Sequence, residues 1–273
     1  MGVVSWVLRD AVVLALNISV CVRSVFLTVM KLILSICLFA VAAPLFAATP
    51  SVRDIVHRAR ATVGTESALS GLVTLQMSGG IEPSGSKLPR ATLLIIARKP
   101  CSQRLEVRMD DLVETTILDG EAGCIVRTNL NDDARRSQMR TMAEKELQRV
   151  AFSTRQFFSF YGADFKSGER ITYGGIEKRR GVRCHALVYS YPDGISTTRY
   201  FAVNDDTLVS TITDVGVESV EIGEQVVGGI KFPQKVEYYQ DSEMLHTIVL
   251  TSVEVNKPLQ SGIFTIPTGQ PIK

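Results

Sequence analysis

Histidine is scarce in this chain, with three residues, and tryptophan occurs once. His57, His185 and His246 stand far apart, and none has a partner at metal-ligand spacing. No Cys-x-x-Cys, H-E-x-x-H, G-x-S-x-G or P-loop run is present. Cys184 and His185 are adjacent on a predicted strand. Their side chains therefore point to opposite faces and cannot work as nucleophile and base. The acid pairs Asp110-Asp111, Asp132-Asp133 and Asp205-Asp206 fall in predicted turns, where Asp caps backbone groups. The expectation is a non-enzyme with no catalytic residues, no metal and no cofactor. Charge of one sign is also missing. The formal net charge is +2, and no basic stripe marks a nucleic-acid partner.

The small positive excess belongs to the first residues. From Val25 to Ala47 the one charge is Lys31. Met30-Lys31 opens a basic n-region, an apolar h-region follows, and Pro44 with small residues forms a c-region, so cleavage is expected after Ala47. On this reading residues 1–29 are an upstream extension and the start is Met30. A membrane anchor is the alternative, since Val25–Ala47 is long enough to span a bilayer. Of the 30 basic and 28 acidic residues, Arg9, Arg23, Lys31 and Asp10 lie in this leader, and the remainder is neutral. Residues 48–273 are expected to form a single exported, periplasmic domain, with a core large enough to need no staples. Cys101, Cys124 and Cys184 remain after cleavage. That odd number leaves at least one free thiol or an intermolecular bridge. A Cys101–Cys124 bridge stays open, and Cys184, among apolar and aromatic neighbours, is expected to be free and poorly reactive.

What is present is period-two hydrophobicity. Ser51 caps a first helix with Ile55, Val56, Ala59 and Val63 on one face, ending at Gly64. Strands are predicted at 71–77, 91–99, 104–109, 112–118 and 124–128, with turns at Gly79-Gly80, Pro83-Ser84-Gly85 and Asp119-Gly120. The pattern then becomes helical. Asn131-Asp132-Asp133 is read as the cap of a long helix whose stripe is Met139, Met142, Leu147, Val150, Thr154, Phe157, Phe158 and Tyr161, stopped by Gly162. Further strands are expected at 170–177, 182–191, 197–203, 208–213 and 218–227. Turns are expected at Pro192-Asp193-Gly194 and Asn204-Asp205-Asp206, with Lys178-Arg179-Arg180 as a solvated hairpin tip. The fold class is mainly β (α+β). About eleven antiparallel strands form a curled sheet, an incomplete β-barrel whose concave side is covered by two helices.

The end of the chain carries the most specific run. Gly229-Ile230-Lys231-Phe232-Pro233 is followed by a strand pair around Asp241-Ser242-Glu243. The second strand ends at Val253-Glu254-Val255-Asn256, and Phe264-Thr265-Ile266-Pro267 closes the domain. This succession resembles the C-terminal end of the LolA-like family of periplasmic lipoprotein-sorting proteins. The resemblance implies a half-barrel that holds acyl chains of lipoproteins or other lipids in an apolar cavity. It implies inner- and outer-membrane transport components as partners, and a monomer. It also implies that a basic residue before a proline at the end of an early strand holds the lid, here Lys99 of Lys99-Pro100, where the family favours Arg. The candidate ligand-binding set is Leu93, Ile95, Met139, Met142, Leu147, Phe157, Phe158 and Lys99. Methionine suits such a lid because it adapts to irregular partners. A LolA-fold sensing or protein-interaction domain without transport is the alternative function.

Overall fold

The structure is a computed structural model and describes residues 50–85, 90–131, 137–192 and 194–267. The leader at residues 1–47, Asp132-Asp133 and Asp193 lie outside the described residues. Helix α1 (Val52–Val63) buries Ile55, Ala59 and Val63, as its apolar spacing requires. A short helix α2 (Glu66–Ser70) follows, capped by the Thr65 hydroxyl, which accepts from Ala68 N–H at 3.2 Å. Six strands come next: β1 (Thr74–Pro83), β2 (Ala91–Arg98), β3 (Ser102–Met109), β4 (Leu112–Asp119), β5 (Ala122–Asn129) and β6 (Ser137–Thr141). Helix α3 (Glu144–Ser159) interrupts them. The rest is β7 (Arg170–Arg179), β8 (Val182–Ser190), β9 (Ser196–Ala202), β10 (Leu208–Thr213), β11 (Val217–Ile222), β12 (Gln225–Val227), β13 (Ile230–Phe232), β14 (Lys235–Gln240) and β15 (Glu243–Val255).

Thirteen strands form one antiparallel sheet in the order β6-β5-β4-β3-β2-β1-β15-β14-β11-β10-β9-β8-β7, and β12-β13 make a separate ribbon. The chain thus lays its first six strands outward in one direction and the later ones in the other. The long β15 joins β1 at the centre. The sheet is curled and not closed into a barrel. Its concave face holds the main core, where Leu93, Ile95, Leu105, Tyr189, Phe201, Val236 and Ile248 meet Ile55, Ala59, Phe152 and Phe157 of the helices. Alternation sends the odd residues of β2 and β3 to this face and the even ones outward. A small second cluster, Cys184, Ala186 and Tyr200, lies on the convex side.

Several expectations are corrected. Among the described residues the count is thirteen plus two rather than about eleven: residues 218–227 divide at Gly223 into β11 and β12, β13 and β14 separate at Pro233, and β6 is an added strand. Met139 lies on β6, not on a helix. The spacing of Met139 and Met142 fits a helical stripe, but the open ladder of β5 takes up Ser137–Thr141 instead. The helix starts at Glu144. Asn131 does not cap it: the Glu146 carboxylate accepts from Ala143 N–H at 2.9 Å and so satisfies one of the orphan donors. Gly79-Gly80 is no turn. Both lie within β1, where the register shifts and Gly79 lets the Val249 carbonyl approach more closely than any side chain would allow. Lys178-Arg179-Arg180 does form a hairpin tip with Lys178 and Arg180 exposed, but the two arginines are also engaged. Arg179 lies over the Tyr200 ring and Arg180 over Tyr239, and Arg180 pairs with Glu218 at 3.0 Å.

Candidate functional site

The apolar floor of the concavity is one cross-strand row. Val253, Met77, Ile95 and Leu105 are successive register partners across β15, β1, β2 and β3, and all are buried. Directly opposed residues share a face, so their side chains form a continuous surface. Ile95 continues the set with Leu93, two positions away on the same strand.

Helix α3 lies against this surface at β3 and β4. At its start Arg140 of β6 grips Glu146 through two bonds of 2.7 and 2.8 Å, which also hold the Glu146 carboxyl below its usual range. Met142 and Leu147 meet over Gly123 of β5, where a Cβ would collide with both. Midway, the Thr154 hydroxyl donates to Gln103 Oε1 at 2.9 Å. Phe152 and Phe157 are buried beneath the helix.

The end of α3 is not made by Gly162. Phe160 and Tyr161 adopt left-handed backbone at φ 43° and 67°. For bulky residues that costs about 1–2 kcal/mol each. Tertiary contacts offset it. Both rings are buried. Arg60 Nη1 of α1 donates to the Ser159 and Phe160 carbonyls at 2.7 and 2.9 Å, and Tyr189 hydroxyl donates to the Tyr161 carbonyl at 2.9 Å. Arg60 is itself oriented by Glu66 at 2.7 Å. Sequence reading did not single out Arg60. Its signal was an arginine on the edge of an amphipathic face, indistinguishable from a solvated one.

Lys99 sits at the same end. Its Nζ donates to the Ser70 carbonyl at 3.1 Å and lies 5.5 Å from the Phe158 ring centroid. Partial burial lowers its pKa. Two clefts flank α3. One of about 600 Å³ is lined by Cys101, Leu147, Ala151, Phe152, Arg155 and Tyr191 among others. One of about 530 Å³ includes Lys99, Pro100, Gln156 and Phe158. The structure therefore gathers seven of the eight candidate residues around α3 and its floor: Leu93, Ile95 and Phe157 in the core, Met142 and Leu147 at the start of the helix, Phe158 and Lys99 at its end. Met139 is the exception. It pairs with Val126, on the face opposite Ile125 and Leu105.

The other half of the concave face carries a polar row among its core residues. Arg199, Thr211, Ser219, Tyr238 and His246 are successive partners across β9, β10, β11, β14 and β15. All are buried, Arg199 and Thr211 completely. Arg199 Nη2 donates to Gln156 Oε1 of α3 at 3.0 Å, and its guanidinium lies 4.3 Å from the Tyr189 ring centroid. His246 stacks on Tyr238 at 4.5 Å, and burial lowers its pKa to about 4. Glu221, next to Val236 on the same face, has both carboxylate oxygens withdrawn from solvent. That burial raises its pKa to about 7. Sequence reading gave this row no role.

Among the described residues the cysteines Cys101, Cys124 and Cys184 are free thiols, Cys124 and Cys184 buried and Cys101 half-buried. Burial raises all three pKa values. Among the described residues no group of His, Cys, Asp or Glu is placed to hold a metal ion, and no helix is long and apolar enough to cross a membrane.

The curled, open sheet with its crossing helices has counterparts among solved structures. A LolA superfamily protein from Nitrosomonas europaea superposes with a TM-score of 0.51 at 9% identity, covering 80% of this chain and 99% of that one. A DUF1329 family protein from Desulfovibrio piger gives 0.51 at 8% identity over 79% and 98%. An outer membrane lipoprotein-sorting protein domain from Vibrio parahaemolyticus, so described as putative, gives 0.50 at 7% over 78% and 95%. The fold is LolA-like. No family model matches the sequence, and no curated protein matches it. The LolA-like architecture is thus shared nearly end to end with these structures, while identity this low makes it a likeness of fold alone.

Proposed function

We propose that this LolA-like chain is a periplasmic binding or carrier protein that holds acyl chains of a lipoprotein or another lipid between α3 and the apolar floor. The observation that carries this reading is the pair of clefts beside α3, about 600 and 530 Å³. Both fall within the usual size of ligand pockets. The helix beside them is held at its ends by polar contacts from Arg140 and Arg60 and by the Lys99 ammonium near the Phe158 ring. Lifting the helix would part these contacts together with the Thr154–Gln103 and Arg199–Gln156 bonds midway and the packing of Phe152 and Phe157 against the sheet, so bound lipid has to replace that apolar contact. Each methylene buried contributes about 0.8 kcal/mol, so acyl chains need few polar contacts to be held. The role involves no chemical step. Export through cleavage near Ala48 supplies the compartment, and membrane-bound lipoprotein-transport components would be the donor and acceptor.

Native mass spectrometry of protein recovered from periplasm tests the reading. The expected result is a polypeptide starting near Ala48 with added lipid mass. A bare polypeptide that also fails to bind a fluorescent fatty acid would overturn it. Transfer of bound lipid to acceptor vesicles then separates a carrier from a sensing domain that binds without delivering.

A further inference from the structure

The concave side of β9–β15 contains buried polar atoms with open hydrogen-bond positions. Arg199 is fully buried, yet its Nε and Nη1 have no hydrogen-bond partner. Among the described residues no carboxylate lies within ion-pair distance of it. Glu169 feels its charge, but Glu169 Oε2 already accepts from Asp164 N–H at 2.7 Å, and burial favours its protonated form. Glu221 also feels it, and burial likewise favours its neutral form. On either side of Arg199 the hydroxyls of Thr197 and Thr211 are buried without partners. A buried guanidinium with open donors costs several kcal/mol unless an anion meets it. Open hydroxyls beside it complete a donor set for such an anion.

Access is also defined. Gln156, whose Oε1 accepts a hydrogen bond from Arg199, lines the 530 Å³ cleft beside Lys99 and Phe158. A ligand lying in that cleft reaches Arg199 by displacing one side-chain amide.

We infer that the ligand of this protein is an amphiphile with an anionic head, a carboxylate or a phosphate, and that Arg199 receives the anion with the Thr197 and Thr211 hydroxyls beside it. The inference rests on the acyl-binding reading above. It adds that the site selects by charge at the polar half of the concave face. The guanidinium fork takes two acceptor oxygens at once, which both head groups offer.

The test titrates the purified protein with two probe pairs: cis-parinaric acid against its methyl ester, and a fluorescent phosphatidate against the matching diacylglycerol. The expected result is a preference of about tenfold or more for the anionic member of at least one pair, the worth of one charged hydrogen-bonded contact. The pair that shows it identifies the head group. In Arg199→Met the preference disappears while the neutral probes still bind. Arg199→Lys keeps the charge without the fork and should retain part of it, which preserves the test if Arg199→Met does not fold. Equal binding of charged and neutral probes by the parent protein overturns the inference and leaves the acyl-binding reading standing. A preference unchanged in Arg199→Met and Arg199→Lys overturns it too. Failure to bind any of the four probes overturns both.

Discussion

The two halves of the concave face obey the same pleat and share one core, but their central rows differ in character. Across β15–β3 the row is Val253, Met77, Ile95 and Leu105, and across β9–β15 it is Arg199, Thr211, Ser219, Tyr238 and His246. The first row satisfies the fold: apolar area leaves water and nothing polar is lost. The second leaves donors and acceptors unpaired, including both nitrogens of His246 and both oxygens of Glu221. A sheet selected for stability alone would have filled both halves alike, since replacing buried ionic groups with hydrophobic ones is often neutral or stabilising. The polar row therefore costs stability that the apolar row supplies, which is what the proposed anion site would require.

The largest effects should fall with opposite signs on the two halves. Ile95→Ala removes a fully buried side chain from the apolar row and should cost about 2–5 kcal/mol, read as a lower urea midpoint at unchanged slope. Arg199→Met removes an uncompensated charge of similar length. It forgoes a bond to Gln156 and a cation–π contact, together worth about 1–3 kcal/mol, but also the several kcal/mol of desolvation. Its midpoint should stay level or rise. A loss as large as that of Ile95→Ala would show the two halves to be energetically equivalent and would dissolve the contrast.

A second, smaller effect is the dependence on pH. Glu221 titrates at about 7 in the fold and near ~4.3 unfolded. Between these values the fold holds a proton that the unfolded chain has released, so its contribution to stability falls as pH rises and is flat above about 7. His246 runs the other way. Folded at about 4 and unfolded near ~6.5, it is refused a proton in the fold, and its contribution rises with pH over that window. The two slopes oppose each other in the parent protein. Glu221→Gln should therefore steepen the rise of the urea midpoint between pH 4 and 6.5, and His246→Phe should turn it toward a fall. Profiles parallel to the parent's in both variants would remove the polar half from the pH response.

Much of this was legible in the sequence. Period-two alternation in Leu105, Val107 and Met109 fixes β3 and its face, and the α1 stripe places Ile55 and Ala59 in the core. The open half-barrel under helices follows from many consecutive short strands. The start of α3 was misread because Met139 and Met142 fit helical spacing, while the pairing of Ser137–Thr141 with β5 is a long-range fact. The polar row was invisible for a different reason. Arg199, Thr211 and His246 lie on three strands scattered over nearly fifty residues, and only the register brings them into line. Arginine on a strand reads as solvent-facing until the partner strands are known. The Arg60 bonds to the end of α3 span about a hundred residues and are hidden in the same way.

The smallest expected effect concerns the rim between the halves. Lys99 and Arg60 both act on the end of α3, but in different media. Arg60 makes two short bonds to main-chain carbonyls beside buried rings, and charged hydrogen bonds of that kind contribute about 1.5–3 kcal/mol. Lys99 makes one bond to the Ser70 carbonyl and one ring contact at 5.5 Å, worth about 0.5–1 kcal/mol at a partly exposed site. Hydrogen exchange should therefore show the α3 amides opening severalfold faster in Lys99→Met and faster still in Arg60→Met. The β14–β15 amides should keep their protection in Lys99→Met, because no contact of Lys99 reaches those strands. If α3 moves as a lid, bound fatty acid should slow α3 exchange in the parent and in Lys99→Met alike. A helix that exchanges with the sheet as one unit, whether or not ligand is present, would instead be a fixed part of the core. The acyl site would then have to lie on the polar half alone.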